Sequence, residues 1–598
     1  MQYVALTFVP KPFMKKAIYP LLALASLFLP ACNKDDIEVP PEEGNNTTIE
    51  VDDTAGSGIR TDNEEDDVAS AVFDRTVKVV FAGGTATVTG ATDNFTVSVD
   101  GAGVTVTNKG DEAVIYDLSG TSSNGFFKLY SSRKQEILLN GLTLTNKNGA
   151  AINNQSHKRT YVVVKGTNTL SDGTYSATPS DEDEKAALFS EGQLVFSGDG
   201  TLTVNATGKS GITSDDYVRF MGSTVKVSSS AGHGVRGKDA IIVSDGTIDV
   251  NVSGTGKKGF SSDTLVYIGG GVTTIKTTGS AGEVDGELAG VVGIKADLRF
   301  EMVDGVVTIT STGTGAKGIA GDNVGYISGG TLTVSATGAN YGTSSSGGGP
   351  GGGPGGWPGG GPGGWPGGPG GSTGDDDNSK SSKAIKFDGN LYISGGKISA
   401  RSEKHEGIEA KGVIVVSGGE VSVTAGDDAI NAGGDLTIEG GAVYAQSTGN
   451  DGLDANGNCY LKGGIVYAVG TRSPEVAIDA NSEQQKKLYI SGGTVIAVGG
   501  LESGASLTQS CWSAGTVKSG TKYALYDSDG KVFCAFKTPS VSNLTLILSA
   551  PSLSKVQYGV TVDEGTELFD GLFWEEPSVS GGSACNLSSY SGGGSGRW

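Results

Sequence analysis

The chain has 598 residues, of which 99 are glycine, and its 44 Lys+Arg against 66 Asp+Glu give a formal net charge of -22. Glycine at that level without a strict Gly-X-Y period excludes collagen, and an acidic balance with no basic stripe argues against nucleic acid as a partner. The length admits several globular domains, but a short internal repeat makes the chain one elongated body with appendages.

Residues 1–13 precede Met14, which reads as the true start because Lys15-Lys16 and the apolar run Ala17 to Leu29 follow it in the order of a secretory signal. A transmembrane helix needs about 20 apolar residues, more than this run supplies. The signal, residues 14–31, runs into Leu29-Pro30-Ala31-Cys32, which resembles a bacterial lipobox. That resemblance implies a lipid on Cys32 and attachment to a membrane. Asn33-Lys34-Asp35-Asp36 is similar to an export tag that sends lipoproteins to the surface of some didermal bacteria, so the expected location is the outer membrane, facing outward. Residues 32–70 are acidic and poor in aromatics, the composition of a solvated tether.

Residues 71–145 carry apolar alternation at Val77 to Phe81, Phe95 to Val99 and Glu136 to Leu139, and are expected to form irregular first coils that cap one end of a stack. A phrase then recurs: a small residue, an aliphatic, a variable residue and another small one. Weak copies at Ala151-Ile152 and Ala187-Leu188 precede Gly211-Ile212, Gly234-Val235, Gly259-Phe260, Gly293-Ile294, Gly318-Ile319, Ala384-Ile385, Gly407-Ile408, Ala429-Ile430, Gly452-Leu453 and Ala477-Ile478. Most steps are about 23 residues. Each phrase leads to a segment ending in a glycine pair, such as Leu436 to Gly441, and then to a third segment such as Val421-Ser422-Val423. The alternation has the period of strands. A unit this short cannot bury its apolar face alone, so the units must stack. The predicted fold is all-β: a right-handed parallel β-helix over residues 71–500, with capped ends. A β-propeller would want about 40 to 45 residues per blade, twice the observed period.

Residues 340–382 interrupt the repeat with Gly/Pro-rich sequence that cannot form a core and is expected to be a flexible loop, within which Trp357 and Trp365 could stack on sugar rings. After Gly500 the repeat stops. Residues 501–576 read as a small C-terminal β cap, with a turn at Asp527-Ser528-Asp529-Gly530, and residues 577–598 as a flexible Gly/Ser tail. Cys459, Cys511, Cys534 and Cys585 are too widely spaced to assign pairs or metal ligands. His157, His233 and His405 suggest neither a triad nor a zinc set.

The variable position of the phrase forms a column that should point outward beside its inward aliphatic, with neighbours about 4.8 Å apart. The residue preceding the phrase forms a second column. Lys258, Lys295, Lys317, Lys383 and Lys386 follow one another in the middle of these columns, near insertions at 281–291 and 340–382 that could wall a groove, and are the candidate sugar-binding residues. Further on both columns turn acidic or amide. Stacked carboxylates repel unless a proton or a cation lies between them, so Glu409, Asp428, Asn431, Asp451 and Asp454 are candidate Ca2+ ligands. Turn preference and amide stacking account for the same residues equally well.

The phrases Gly426-Asp427-Asp428-Ala429-Ile430-Asn431-Ala432 and Asn450-Asp451-Gly452-Leu453-Asp454-Ala455 resemble those of a β-helical carbohydrate-binding family first described on clostridial cell surfaces, as does Leu138 to Asn146. The resemblance spans about residues 71–560. It implies binding of cellulose-like and acidic polysaccharides, Ca2+ as ligand, and a fold like that of a pectate-lyase family. The expected function is thus a surface lipoprotein, monomeric, that binds polysaccharide without cutting it. A Ca2+-dependent lyase working by β-elimination is the alternative, with Lys295 or Lys317 as base. A non-catalytic adhesin or scaffold is a third reading.

Overall fold

The structure is a computed structural model that describes residues 61–176, 182–342 and 380–592. It is a parallel β-solenoid of about 14 turns, with coils about 25 residues apart. Neighbouring coils pair in parallel, which excludes the antiparallel blades of a propeller. The signal segment, Cys32, Trp357, Trp365 and most of the interrupting loop lie outside the described residues.

Each coil contributes one short strand to a 14-stranded sheet and a longer, bent strand to a second, broad sheet. The short strand holds the repeated phrase. Its aliphatics lie opposite one another through Ile212, Val235, Phe260, Ile294, Ile319, Ile385, Ile408, Ile430 and Leu453, and bridges extend the line to Ile478 and Leu501. All point inward and are buried; each stabilises the stack by about 1.5–3 kcal/mol through burial. The long interruption leaves the ladder intact, since Lys317–Gly321 pairs directly with Ile385–Phe387.

The small residue in the phrase answers to crowding. A Cβ on Gly318 would lie 2.5 Å from the Ala384 carbonyl oxygen and 2.0 Å from Val334 Cγ1. The glycine pairs have a different cause. In Leu391–Ser402 and Ile414–Ala425 the pair sits where the register shifts, and Gly396 and Gly419 take φ of 84° and 85°, a conformation that glycine adopts without a steric cost. The second and third segments of each repeat are therefore often one strand bent around a corner.

The two ends depart from the sequence expectations. Residues 62–70, read as free tether, form two short 3-10 turns, and Val68, Ala71 and Phe73 pack on Tyr161, Val195, Tyr217 and Ile242. Asp66 is 1% exposed there and accepts hydrogen bonds from Tyr217 Oη (2.6 Å), Arg159 Nε (2.8 Å) and Arg219 Nη1 (3.0 Å). Two guanidinium groups make burial of that carboxylate tolerable, and neither was recognisable as its partner from positions so far along the chain. At the other end, residues 577–584 are not tail. Phe573–Ala584 pairs with Lys555–Leu568 in a small closed barrel that also contains Lys522–Tyr526 and Val532–Lys537, and Ser588–Tyr590 adds to the broad sheet. The polar, glycine-rich composition of that stretch hid a strand.

Replacing Ile319 by alanine removes one rung of the inward ladder and should destabilise the protein by about 2–5 kcal/mol in chemical denaturation. A change under about 0.5 kcal/mol would show that the rung is not part of a packed core.

Candidate functional site

The variable residues of the phrase form the expected column, in register from coil to coil: Lys128, Asn153, Phe189, Thr213, Arg236, Ser261, Lys295, Ala320, Lys386, Glu409, Asn431 and Asp454. The column points away from the inward aliphatics, yet most of it is buried: Asn153, Phe189, Thr213 and Ser261 in the earlier coils, and Lys386, Glu409 and Asn431 in the later ones, where Glu409 and Asn431 pair with neighbouring side chains.

In the middle coils the face is a groove of about 810 Å3. One wall is the antiparallel hairpin of Gly282–Val284 and Glu287–Ala289, which leaves the body just before the floor strand Val292–Ala296. Beside it, Tyr341 and Lys380 close the base of the long interruption through a backbone bridge. Lys258, Lys295, Lys317 and Lys386, four of the five predicted lysines, line the groove, and the structure adds Lys257, Lys380 and Lys411. Among the described lining residues Asp285, Glu287, Asp322 and Asp388 are the acids beside these seven lysines, and Asp297 reaches Lys295 from outside the lining. On a chain of net charge -22 this is a local concentration of lysines.

The lysines differ in their settings. Lys295 pairs with Asp297 at 2.9 Å and also with Asp322. Asp388 receives Lys386 at 3.1 Å and Lys411 at 2.9 Å. Lys258 donates to the Gly256 carbonyl at 3.0 Å; burial, then the charges of Lys257 and Lys295, push it down to about 8. His233 beneath it is pushed down to about 3, first by burial and then by Lys258, and its Nδ1 accepts from the Lys258 backbone N–H at 3.0 Å.

Lys383 does not join the groove. It is 0% exposed, with Nζ 2.6 Å from Glu409 and 3.2 Å from Glu406. This corrects two expectations together: Lys383 cannot reach a sugar, and Glu409 is neutralised by a lysine. Sequence placed the two in different columns and gave no sign that one would span to the other. Glu406 also contacts His405, which lies 3.6 Å from Asp427, so this histidine has two carboxylate neighbours where the sequence showed only isolated histidines.

The acidic stretch is real but centred one coil further along. Asp451, Asp454 and Asp479 bring carboxylate oxygens within 4.8 Å of one another. Asn431 Nδ2 donates to Asp454 at 2.8 Å and to Asp428 at 3.0 Å, and thereby ties Asp428 to the group. Asp428 and Asp451 also serve the backbone, accepting from the N–H of Asp451 (3.0 Å) and Val476 (2.6 Å). Burial, reinforced by neighbouring acids, raises Asp451 to about 7 and holds Asp428, Asp454 and Asp479 above the usual carboxylate range. Asp479 stood at the variable position of its phrase, but with Val476 in place of a leading acid it was not selected.

A family model described as carbohydrate-binding domain-containing protein matches residues 100–429 and 400–535. No curated protein matches the chain. A solved structure, that of the polysaccharide lyase-like protein from C. thermocellum in its gadolinium derivative, is similar at 20% identity, with a TM-score of 0.36, over 42% of this chain and 97% of that one.

The raised acid fixes the sign of a pH effect. Between the ordinary 3.8 and about 7 the folded state keeps a proton on Asp451 that the unfolded chain releases, so stability falls as pH rises through that window and stays lost above it. Melting temperatures in chelator-treated buffer should decline from pH 4 to about pH 7, and Asp451→Asn should flatten the decline; equal slopes in both proteins would contradict the assignment.

Proposed function

Because this chain belongs to the carbohydrate-binding domain-containing family, we propose that it is a surface-anchored protein that holds an acidic polysaccharide along one face of its solenoid. The observation that carries the reading is the groove, where seven lysines converge between the hairpin and the floor strands of an otherwise acidic protein. A uronate polymer offers one carboxylate per ring, and charge-assisted hydrogen bonds from lysine to carboxylate are about twice as strong as neutral ones. Anchoring rests on Ala31-Cys32 and the apolar run before them.

Ca2+ fits the neighbouring acids. Asp451, Asp454 and Asp479 offer oxygen donors alone, the type this ion prefers at about 2.3–2.6 Å, and carboxylates crowded enough to retain protons gain from a cation in their place. When bound, the ion would supply a bridge to sugar carboxylates. From Lys386 to Asp454 is three coil steps, about 14 Å along the axis, so a linear polymer running with the axis reaches both.

The second reading is a lyase, and Lys258 favours it. At about 8 it is partly neutral near physiological pH and borders the groove, as a base for removing the proton beside a uronate carboxylate must be. Lys295 is held by two carboxylates and Lys317 is nearly buried, so neither is as open to that role.

Polygalacturonate should be retained by the protein and released as salt rises. Lys257→Ala with Lys411→Ala should weaken binding about tenfold or more, roughly 1.4 kcal/mol; unchanged affinity would remove the groove from the account. Unsaturated, ultraviolet-absorbing products, lost in Lys258→Ala, would establish the lyase.

Adding Ca2+ to chelator-treated protein at pH 8 should raise its melting temperature, and Asp454→Asn should abolish most of that rise. No shift in the wild type would dismiss the ion.

A further inference from the structure

We infer that Lys383 and Glu409 become joined by an intramolecular amide bond, formed with Glu406 as proton carrier, which staples the coil after the long interruption to the coil that follows it. The inference concerns the covalent structure of the chain itself and does not depend on which ligand the groove takes.

The fold brings the two side chains together and holds them there. Ile385–Phe387 pairs in register with Ile408–Ala410, with Lys386 opposite Glu409, and Lys383, just before that strand, reaches across to the same acid. The backbone at this point is pinned from several sides. The Lys383 carbonyl accepts from the Gly318 N–H at 3.1 Å. Ser382 donates through Oγ to the Ala316 carbonyl at 3.0 Å, and its own carbonyl accepts from Ser402 Oγ at 2.9 Å. Lys383 Nζ then lies 2.6 Å from Glu409 Oε2 and 3.2 Å from Glu406 Oε2. The carboxyl carbon of Glu409 is bonded to that nearer oxygen, so nitrogen and carbon stand close to the separation of about 3–3.5 Å from which a bond can form.

Burial sets this pair apart from the ion pairs of the groove. The acids that meet Lys295 and Lys386 have side chains at least a third open to solvent, whereas Lys383 is fully buried and Glu406 and Glu409 nearly so. Away from water an ion pair loses the solvation of both charges. Passing a proton from the ammonium to the carboxylate leaves an uncharged amine against an uncharged acid, and these are the partners from which an amide forms. The water that would hydrolyse the product is kept out by the same packing. Fixed side chains also remove the entropic part of the barrier, equivalent to effective concentrations of about 10⁵–10⁸ M in well-oriented intramolecular reactions.

The step balances without an outside reagent. The Nζ lone pair attacks Cδ of protonated Glu409 and the N–C bond forms. Glu406 takes one proton from the nitrogen and returns it to the departing hydroxyl, the C–O bond breaks, and one water leaves. Glu406 ends as it began, and His405, in contact with the same Glu406 oxygen, positions it. The place in the fold gives the bond a use. Ile319 and Ile385 are adjacent rungs separated by the longest stretch of sequence in the inward ladder, and a strand that returns after so long a loop pays more closure entropy than its neighbours. A covalent tie to the next coil keeps that rung in place when the stack frays or is pulled.

Tryptic mapping of the full chain by mass spectrometry tests this. Trypsin does not cut after an acylated lysine, so residues 381–386 should be recovered joined to residues 405–411, lighter than the two peptides together by one water. Glu406→Gln, checked for native circular dichroism, should leave most of the chain unlinked. Lys383→Met with Glu409→Met puts apolar groups in place of the buried pair and leaves neither partner's charge unpaired; it should lose the linked peptide and melt at a lower temperature. Cleavage after Lys383 in the wild type, with residues 405–411 at their full mass, shows an ion pair only and overturns the proposal, as does a lost water mapped to other residues. Complete linkage in Glu406→Gln overturns the role given to Glu406.

Discussion

Everything in this protein depends on the in-register hydrogen bonding of one coil to the next. Parallel strands that pair residue for residue place each position of the phrase directly over its counterpart, about 4.8 Å away. The small position is held small because the next coil's carbonyl and an inward side chain converge on it, as at Gly318. The aliphatic position is fixed by burial. The third position accepts the widest range of residue types, from Phe189 and Thr213 to Lys386 and Asp454, so it is where chemistry differs from coil to coil.

The same register creates an electrostatic problem, and the face resolves it in three ways. Asp388 bridges Lys386 and Lys411 from the side. Lys383 crosses between columns to hold Glu406 and Glu409. At Asp451, Asp454 and Asp479 no lysine or arginine is paired among the described residues, and the acids are raised, Asp451 to about 7. Beyond the repeat's own lysines, Lys257 from the turn before Lys258, Lys380 from the base of the long insertion and Lys411 also line the groove. A line of sites along an axis suits a linear polymer.

The inward ladder from Ile212 to Ile478 was legible because burial imposes one residue class at one spacing. The groove was legible in part: Lys258, Lys295, Lys317 and Lys386 could be placed by column, and the insertion at 281–291 marked its wall. Lys411 and Lys380 were not, since they belong to turns outside the phrase. Lys383 and Glu409 were misread because a column gives direction but not the reach of a long side chain. Asp66 was misread for a different reason: an acidic, poorly apolar segment looks solvated until Arg159 and Arg219, roughly four and six coils along by sequence spacing, supply its partners. The strand through 577–584 was hidden by serine and glycine, whose small side chains carry no alternation.

The central claim is that the outward column of the repeated phrase is the glycan-binding face. A crystal structure of the protein with trigalacturonate tests it most directly. The account predicts sugar carboxylates against Lys258, Lys295 or Lys386, between the hairpin at 282–289 and the floor of the groove, with the chain running along the solenoid axis. Sugar bound instead on the broad sheet or the C-terminal barrel, with the groove empty, would contradict it.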